Sequence, residues 1–280
     1  MRVGLAVSIS MALTSLCGCG STPTETQSPN RMDSIGETVN VVSSFAQGKT
    51  YAVATETGTR ISTNATGTTE VRVSIESERA ISTGGTYRQS PLAWVETVGR
   101  VRVAGDKSWD SDSGQAPPED ILEIAALAGA QYSVAIDGMG MASASDLKLP
   151  MPRLSPAQRE AMRGRTDDVS RVTAGLANSV TGSLRSLPHR QFRAGGQWTH
   201  ESKHPSIAPD AVLRTTWSFQ RIDDGIGYFA ISGAYEAEPL ESGTVAGTAE
   251  YDMARKLFRV IDMKTELVLA NAGGKVVTEN

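Results

Sequence analysis

The sequence predicts an α+β protein dominated by β-strands, with a helical insert around residues 155–187. Apolar and polar residues alternate with a period of two in several long segments, as in strands that bury one face. The apolar residues are mainly Val, Ala, Ile and Leu among many Gly, Ser and Thr, and aromatic residues make up only 5% of the chain. One central stretch instead repeats its apolar residues every three or four positions, which indicates helix.

The first strands are predicted to form a β-hairpin. Tyr51 and Val53 share a face of one strand, and Val71 and Ile75 share a face of the next. Residues 64–67, Asn-Ala-Thr-Gly, supply the turn between them. A third strand is predicted to place five residues on one face: Val95, Thr97, Gly99, Val101 and Val103.

An acidic loop, a short helix and a second hairpin follow. Residues 105–120 are rich in Asp and Ser and contain prolines, which predicts the loop. The apolar stripe of the helix consists of Ile121, Ile124, Ala125 and Ala128, and Gly129 can end it. The hairpin turns at Asp137-Gly138, after an incoming strand in which Tyr132, Val134 and Ile136 alternate with polar or small residues.

The insert is predicted to hold two helices. Ser155 and Gln158 have the spacing of a capping box, with Pro156 at the first helical position, so a helix is expected from Pro156 to about Arg163. A second helix can start at Thr166 and end at Pro188. Its apolar stripe is Val169, Val172, Leu176, Val180 and Leu184.

The last third returns to the strand pattern. Two long strands are predicted around a turn at residues 223–225, Asp-Asp-Gly. The inward positions of the first of these strands are Leu213, Thr215, Trp217 and Phe219. Two or three further strands are expected, at residues 245–251, 256–262 and 266–270.

The N-terminus has the layout of a secretory signal peptide. Arg2 is followed by an uncharged apolar or small-residue run from Val3 to Leu16, which is too short to cross a bilayer as a helix. The only two cysteines of the chain, Cys17 and Cys19, close this run. A disulfide between them would close a strained ring, and two thiols are too few for a structural zinc site.

Residues 16–19, Leu-Cys-Gly-Cys, resemble the lipobox of bacterial lipoproteins, in which the chain is cut before a cysteine that then carries acyl groups. The resemblance implies a signal peptide at residues 1–18 and lipidation of Cys19. Cys17 fits less well because Leu16 would then stand where a small residue is needed. Gly20 follows the lipidated position, and the resemblance then implies an outer-membrane protein that faces the periplasm. An ordinary signal peptide that contains both cysteines is the alternative.

The mature chain is predicted to have two parts. Residues 19–33 are rich in Ser, Thr and Pro and predict a flexible tether, and residues 34–275 predict a single β-rich domain. Residues 193–198, Arg-Ala-Gly-Gly-Gln-Trp, and the two Asp-Gly hairpins resemble β-rich envelope lipoproteins. That resemblance implies a curved antiparallel sheet or half-barrel covered by helices, a shape also found in periplasmic lipid carriers.

Composition and charge exclude some partners. The net charge of −4 with signs scattered along the chain argues against nucleic acid binding and offers no polybasic patch for anionic lipids. The expected partners are therefore the membrane, reached through the lipid anchor, and an envelope protein or a small apolar ligand. No cofactor is predicted.

A metal site is the weakest of the chemical candidates. Residues 200–204, His-Glu-Ser-Lys-His, satisfy the zinc-protease pattern, with His200 and His204 as ligands and Glu201 as general base. Pro205 disfavours helix at His204, and no third ligand motif follows. The chain is therefore expected to hold no metal there. Residues 110–114 start like a calcium loop but lack its Gly and Glu positions.

Three functions remain open from the sequence. The expected one is a membrane-anchored envelope lipoprotein whose β-rich domain binds a partner or plays a structural part, without enzymatic activity. A carrier of a lipid or another apolar ligand is the runner-up, and its inner sheet face should lack bulky side chains. A zinc-dependent hydrolase at His200, Glu201 and His204 is the third.

Overall fold

The computed structural model describes residues 19–20, 38–63, 67–105, 108–140, 142–163, 184, 187–203, 210–236, 240–269 and 274–279. The predicted fold class, α+β with β dominant, is confirmed: these residues form antiparallel sheets with few short helices. Contacts within the chain divide it into two compact units. Unit 1 takes its described residues from Phe45–Arg60 and Thr69–Thr181, and unit 2 from Ser15–Ser44, Ile61–Thr68 and Gly182–Asn280.

The strands are numbered in chain order. They are β1 (Cys19–Gly20), β2 (Thr38–Asn40), β3 (Ser44–Phe45), β4 (Thr50–Thr63), β5 (Gly67–Thr83), β6 (Gly85–Thr86), β7 (Leu92–Gly105), β8 (Trp109–Asp110), β9 (Gln131–Ile136), β10 (Ala142–Lys148), β11 (Gln191–Arg193), β12 (Gln197–Lys203), β13 (Val212–Asp223), β14 (Ile226–Glu236), β15 (Leu240–Asp252), β16 (Leu257–Leu269) and β17 (Gly274–Glu279). The helices are a 3-10 turn at Glu119–Ile121, α1 (Leu122–Ala125) and α2 (Pro156–Arg163).

The sheet of unit 1 runs in the order β4-β5-β7-β9-β10. β7 lies beside β5 along nearly all of its length, while on its other side β9 pairs with the first half and β8 with the second half. The predicted hairpin at Asp137-Gly138 is confirmed, since β9 and β10 pair around that turn. Residues 64–66, the predicted turn of the first hairpin, lie outside the described residues.

The predicted inward face of β7 is wrong over its first half. The pairing with β5 shifts at Gly99, so that Arg100 lies opposite Glu76 and Val98 lies opposite Ser77. Gly99 is therefore the extra residue of a β-bulge, which turns the strand by one position. Val101 and Val103 are buried as predicted, but the other inward residues are Leu92, Trp94, Glu96 and Val98. Glu96, a charged residue, therefore lies in the interior.

One of the helical predictions is confirmed in full and another in part. α2 spans Pro156–Arg163 as expected, and its capping box is formed: Gln158 N–H donates to Ser155 Oγ (3.2 Å) and Ser155 N–H donates to Gln158 Oε1 (3.0 Å). α1 is shorter than predicted and is followed by turns that end at Gly129, whose φ is +80°. The second predicted helix from Thr166 lies outside the described residues, apart from the buried Leu184 and its last positions, where Leu187 is buried and is not helical.

The sheet of unit 2 runs in chain order from β12 to β17, with β1 beside β12. The hairpin of β13 and β14 is confirmed, and its turn places Asp224 and Gly225 at positive φ, as a two-residue turn of this kind requires. The strands predicted at 256–262 and 266–270 are a single strand, β16, because the alternation of residues continues through Met263–Thr265. β17 was not predicted.

One face of the unit 2 sheet is buried by aromatic side chains. Trp217, Phe219, Phe229 and Tyr251 are nearly inaccessible to solvent. β2 and β11 pair with each other and add Val39 and Phe192 to this interior. The Tyr251 hydroxyl accepts a hydrogen bond from Val42 N–H (3.1 Å) and donates one to Val42 O (2.9 Å). These two bonds hold the segment after β2 in place.

Candidate functional site

Cys19, the predicted lipidation site, lies in β1. The two residues of this strand pair antiparallel with the end of β12, with Cys19 opposite Lys203 and Gly20 opposite Ser202. The rest of the predicted signal peptide and the tether, residues 1–18 and 21–33, lie outside the described residues. Lipidation at Cys19 stays a prediction.

The His-Glu-Ser-Lys-His stretch begins as a strand. His200 and Glu201 are consecutive residues of β12, so their side chains point to opposite faces of the sheet. The His200 ring stacks on Trp198 at 5.3 Å and is 9% exposed. Glu201 lies on the other face, where it accepts a hydrogen bond from Arg214 Nε at 2.8 Å.

The zinc-protease arrangement needs two histidines on one face of a helix with the glutamate beside them. β12 does not provide that arrangement, since it separates His200 from Glu201. His204 lies outside the described residues. His189, the remaining histidine, donates from Nε2 to the carbonyl oxygen of Leu184 at 2.8 Å.

Two aspartates of the acidic loop of unit 1 are paired with arginines. Asp110 receives two hydrogen bonds from Arg100, from Nε at 3.0 Å and from Nη2 at 2.5 Å, and a third from Asp112 N–H. Asp112 Oδ2 lies 3.3 Å from Arg100 Nε, and Asp112 Oδ1 lies 3.8 Å from Arg153 Nη2. The hydrogen bonds from Arg100 and the Asp112 amide lower the pKa of Asp110 from 3.8 to about 2. Its carboxylate oxygens are thus engaged by cations of the protein.

In the described part of the chain, no helix is long and apolar enough to span a bilayer. Nor do three or more His, Cys, Asp or Glu side chains gather there in an arrangement that could hold a metal ion.

The most unusual group of side chains in unit 1 is a buried polar cluster around Glu96. Glu96 of β7 is 3% exposed and accepts three hydrogen bonds: from Arg79 Nε at 2.8 Å, from Trp94 Nε1 at 2.9 Å and from Ser77 Oγ at 2.5 Å. Arg79 of β5 lies directly opposite Glu96 and is itself 7% exposed. Its guanidinium carbon is 4.7 Å from the centre of the Trp94 ring.

The third strand adds a phenol to this cluster. Tyr132 of β9 lies opposite Glu96 on the side away from Arg79, so the three side chains form one row across β5, β7 and β9. Burial raises the pKa of Tyr132 above its usual value, and the negative charge of Glu96 raises it further. Phe45 stacks on Trp94 at 6.1 Å.

The contacts of this cluster are those of a group that stabilises the sheet. Both oxygens of Glu96 are occupied by donors, and the arginine is held by the ion pair and by the indole ring. Three donors therefore hold the carboxylate of Glu96 in place between β5 and the indole of Trp94. Strand alternation alone places Glu96 on the outward face. The one sequence signal for its inward position is Gly99, because a glycine inside a strand often marks a bulge.

The interior of unit 2 contains a continuous aromatic cluster. Phe229 is at its centre, with ring-centre distances of 5.3 Å to Phe219, 5.4 Å to Phe192, 5.8 Å to Phe258 and 6.4 Å to Trp217. Tyr251 continues the cluster through Phe258 at 5.1 Å. These spacings are those of directly packed rings.

No protein-family model matches the sequence, and comparisons with curated proteins and with solved structures gave no match. A functional assignment for this chain therefore rests on its own residues.

Proposed function

We propose that this chain is a bacterial lipoprotein anchored through acyl groups on Cys19, whose β-rich part is a structural or protein-binding module of the cell envelope without enzymatic activity. The anchor is supported by the Leu-Cys-Gly-Cys sequence at residues 16–19 after a short apolar run. Two acyl chains give stable membrane attachment, whereas a single chain binds reversibly. Gly20 supports an outer-membrane location that faces the periplasm.

The aromatic cluster of unit 2 favours a structural or protein-binding module over a lipid carrier. A carrier needs space on its inner sheet face for an apolar ligand, and bulky side chains remove that space. Trp217, Phe219 and Phe229 each expose 2% or less of their surface and pack against one another and against their aromatic neighbours. The protein's own rings thus fill the part of this face that the cluster covers.

The polar groups of the described residues favour a role without catalysis. The buried carboxylate of Glu96 is held by three donors, and Asp110 is paired with Arg100. β12 points Glu201 away from His200, as described above. A zinc-dependent hydrolase would have to draw its ligands from another arrangement.

Replacement of the two cysteines tests the anchor. Cys19→Ser removes the acylated thiol, so the protein should move from the membrane fraction to the soluble fraction of the envelope and should not incorporate a labelled fatty acid. Cys17→Ser is the matched control, because it lies two residues away and outside the mature chain that the proposal defines. It should leave labelling and membrane association unchanged. Loss of labelling in Cys17→Ser but not in Cys19→Ser would reject the assignment.

A further inference from the structure

The first two residues of the proposed mature chain pair with one end of the unit 2 sheet. Cys19 lies opposite Lys203, the last residue of β12, and Gly20 lies opposite Ser202. Because the two strands are antiparallel, the chain runs from Cys19 into the sheet, and Cys19 stands at its outer end. Acyl groups on Cys19 would therefore leave the sheet at this end.

The strand pairing continues this end of the sheet as a single row of residues. The row takes one residue from each of four adjacent strands: Cys19, Lys203, Val212 and Glu236. We call it the anchored row. Adjacent strands are about 4.8 Å apart, so the whole row lies within about 15 Å of Cys19. All of it is thus close to the point at which the acyl chains would enter a bilayer.

The anchored row adjoins a closely packed part of the unit 2 interior. Leu213 and Tyr235, each one position from the row, lie opposite one another on β13 and β14 and belong to one buried cluster with Val245 and Leu267. Gly243 permits this packing, because a Cβ atom at that position would lie 2.6 Å from Tyr235 Cβ. A row joined to such a close-packed core moves together with the sheet.

The opposite end of these strands carries the β13–β14 and β15–β16 turns. β13 has 12 residues, which span about 37 Å from the anchored row to this turn end. The two turns contact each other, since Met253 N–H donates a hydrogen bond to Gly225 O at 3.1 Å. Their exposed charged residues are Asp223, Asp224, Arg255 and Lys256. Ionised side chains are costly in the apolar part of a membrane, so this end suits water.

We propose that the anchored row of unit 2 lies against the membrane surface and that the turn end points into the periplasm. The inference rests on the proposed function, because it needs acyl groups on Cys19. Those acyl chains enter the bilayer, while the backbone of Cys19 and Gly20 is joined to β12. The bilayer and the anchored row are therefore close, and the layer that contacts this row is that of the phospholipid headgroups. The turn end is the part of unit 2 that an envelope protein can reach.

This arrangement differs from a flexible tether that begins at Cys19. A flexible chain of the length of residues 19–33 spans about 20 Å on average. Such a tether lets either end of unit 2 approach the bilayer. Pairing of Cys19 and Gly20 with β12 brings only one end near it, so the two arrangements predict different heights for the two ends of the sheet.

Energy transfer from single labels to the bilayer tests the orientation. With Cys17 removed in the signal peptide and the Cys19 thiol acylated, an introduced cysteine is the only free thiol of the chain. Glu236→Cys places a donor dye in the anchored row, and Asp223→Cys places the same dye at the turn end, both at exposed positions. In vesicles of phosphatidylethanolamine and phosphatidylglycerol with acceptor-labelled headgroups, transfer should be at least about threefold more efficient from Glu236→Cys, because the two dyes are separated by about 37 Å along the strands.

An insertion separates pairing from tethering. About 15 additional Gly and Ser residues after Ser21 lengthen the link to the rest of unit 2 but leave Cys19 and Gly20 in place. Transfer from Glu236→Cys should then stay unchanged, whereas a tether that begins at Cys19 would lower it.

The mass of the N-terminal peptide of the same samples keeps the two proposals apart. An acylated chain with equal transfer from the two labels, or with transfer from Glu236→Cys that falls on insertion, overturns the orientation alone. A membrane-bound chain without acyl groups on Cys19 overturns both the orientation and the proposed function.

Discussion

The two units fill their interiors in different ways. Unit 1 buries an ion pair, Arg79 and Glu96, against Trp94 in the middle of its sheet. Unit 2 fills the corresponding region with aromatic rings centred on Phe229, and the buried hydroxyl of Tyr251 forms hydrogen bonds with the backbone of Val42. We infer from this difference that the ion pair of Arg79 and Glu96 helps to align the strands of unit 1. Unit 2 is instead stabilised by the apolar surface that its aromatic rings bury.

The largest effect is expected from removal of the buried carboxylate. Glu96→Ala leaves the charge of Arg79 buried without its partner and should lower the free energy of unfolding by about 3–5 kcal/mol. Glu56→Ala is the control, because Glu56 pairs with an arginine on the exposed face of the same sheet, and it should cost less than about 1 kcal/mol. Chemical denaturation followed by tryptophan fluorescence measures both values.

A double variant separates the charge from the packing. Adding Arg79→Met to Glu96→Ala removes the buried cation, so the double variant should be more stable than Glu96→Ala alone by about 1–3 kcal/mol. If the two losses simply add, the ion pair is not the feature that distinguishes unit 1.

A smaller effect is expected at the hydroxyl that fixes the segment after β2 in unit 2. Tyr251→Phe keeps the ring and leaves Val42 N–H without its acceptor, so it should cost about 1–3 kcal/mol. Hydrogen exchange should speed up at residues 39–43 and stay unchanged in β13. Tyr228→Phe is the control, because that ring lies half-exposed on the sheet face opposite the aromatic cluster.

The smallest effect concerns the exposed charges of unit 1. The pKa of Asp110 is lowered in the folded chain to about 2, from 3.8, so its pairing stabilises the fold above pH 3.8. That contribution is lost as the pH falls from about 4 to about 2, and it should stay below about 1 kcal/mol because the side chain is 30% exposed. Asp110→Asn should flatten this part of the stability profile. An equally steep acid loss in the variant would show that other carboxylates cause it.

Local signals predicted much of the fold. The capping box at Ser155 and Gln158 gave the helix bounds, and Asp-Gly pairs gave two hairpin turns, because these motifs act through neighbouring atoms. The inward position of Glu96 could not be predicted from alternation, since the bulge at Gly99 depends on the pairing with β5.

The candidate sites also divide into one that a contiguous motif predicts and one that depends on the fold. Cys19 is predicted by a contiguous motif, and that prediction needs no tertiary structure. The His200-Glu201 pair matched a motif whose chemistry needs a helix, and the strand β12 separates the two side chains. Motifs that are read on a helix are therefore informative only where the local periodicity is helical.

The most direct test of the proposed function is the mass of the N-terminal peptide of the protein recovered from membranes. The expected mature chain begins at Cys19, and this residue carries acyl groups. A mature chain that begins at Met1, or one that begins near residue 19 without acylation, would contradict it.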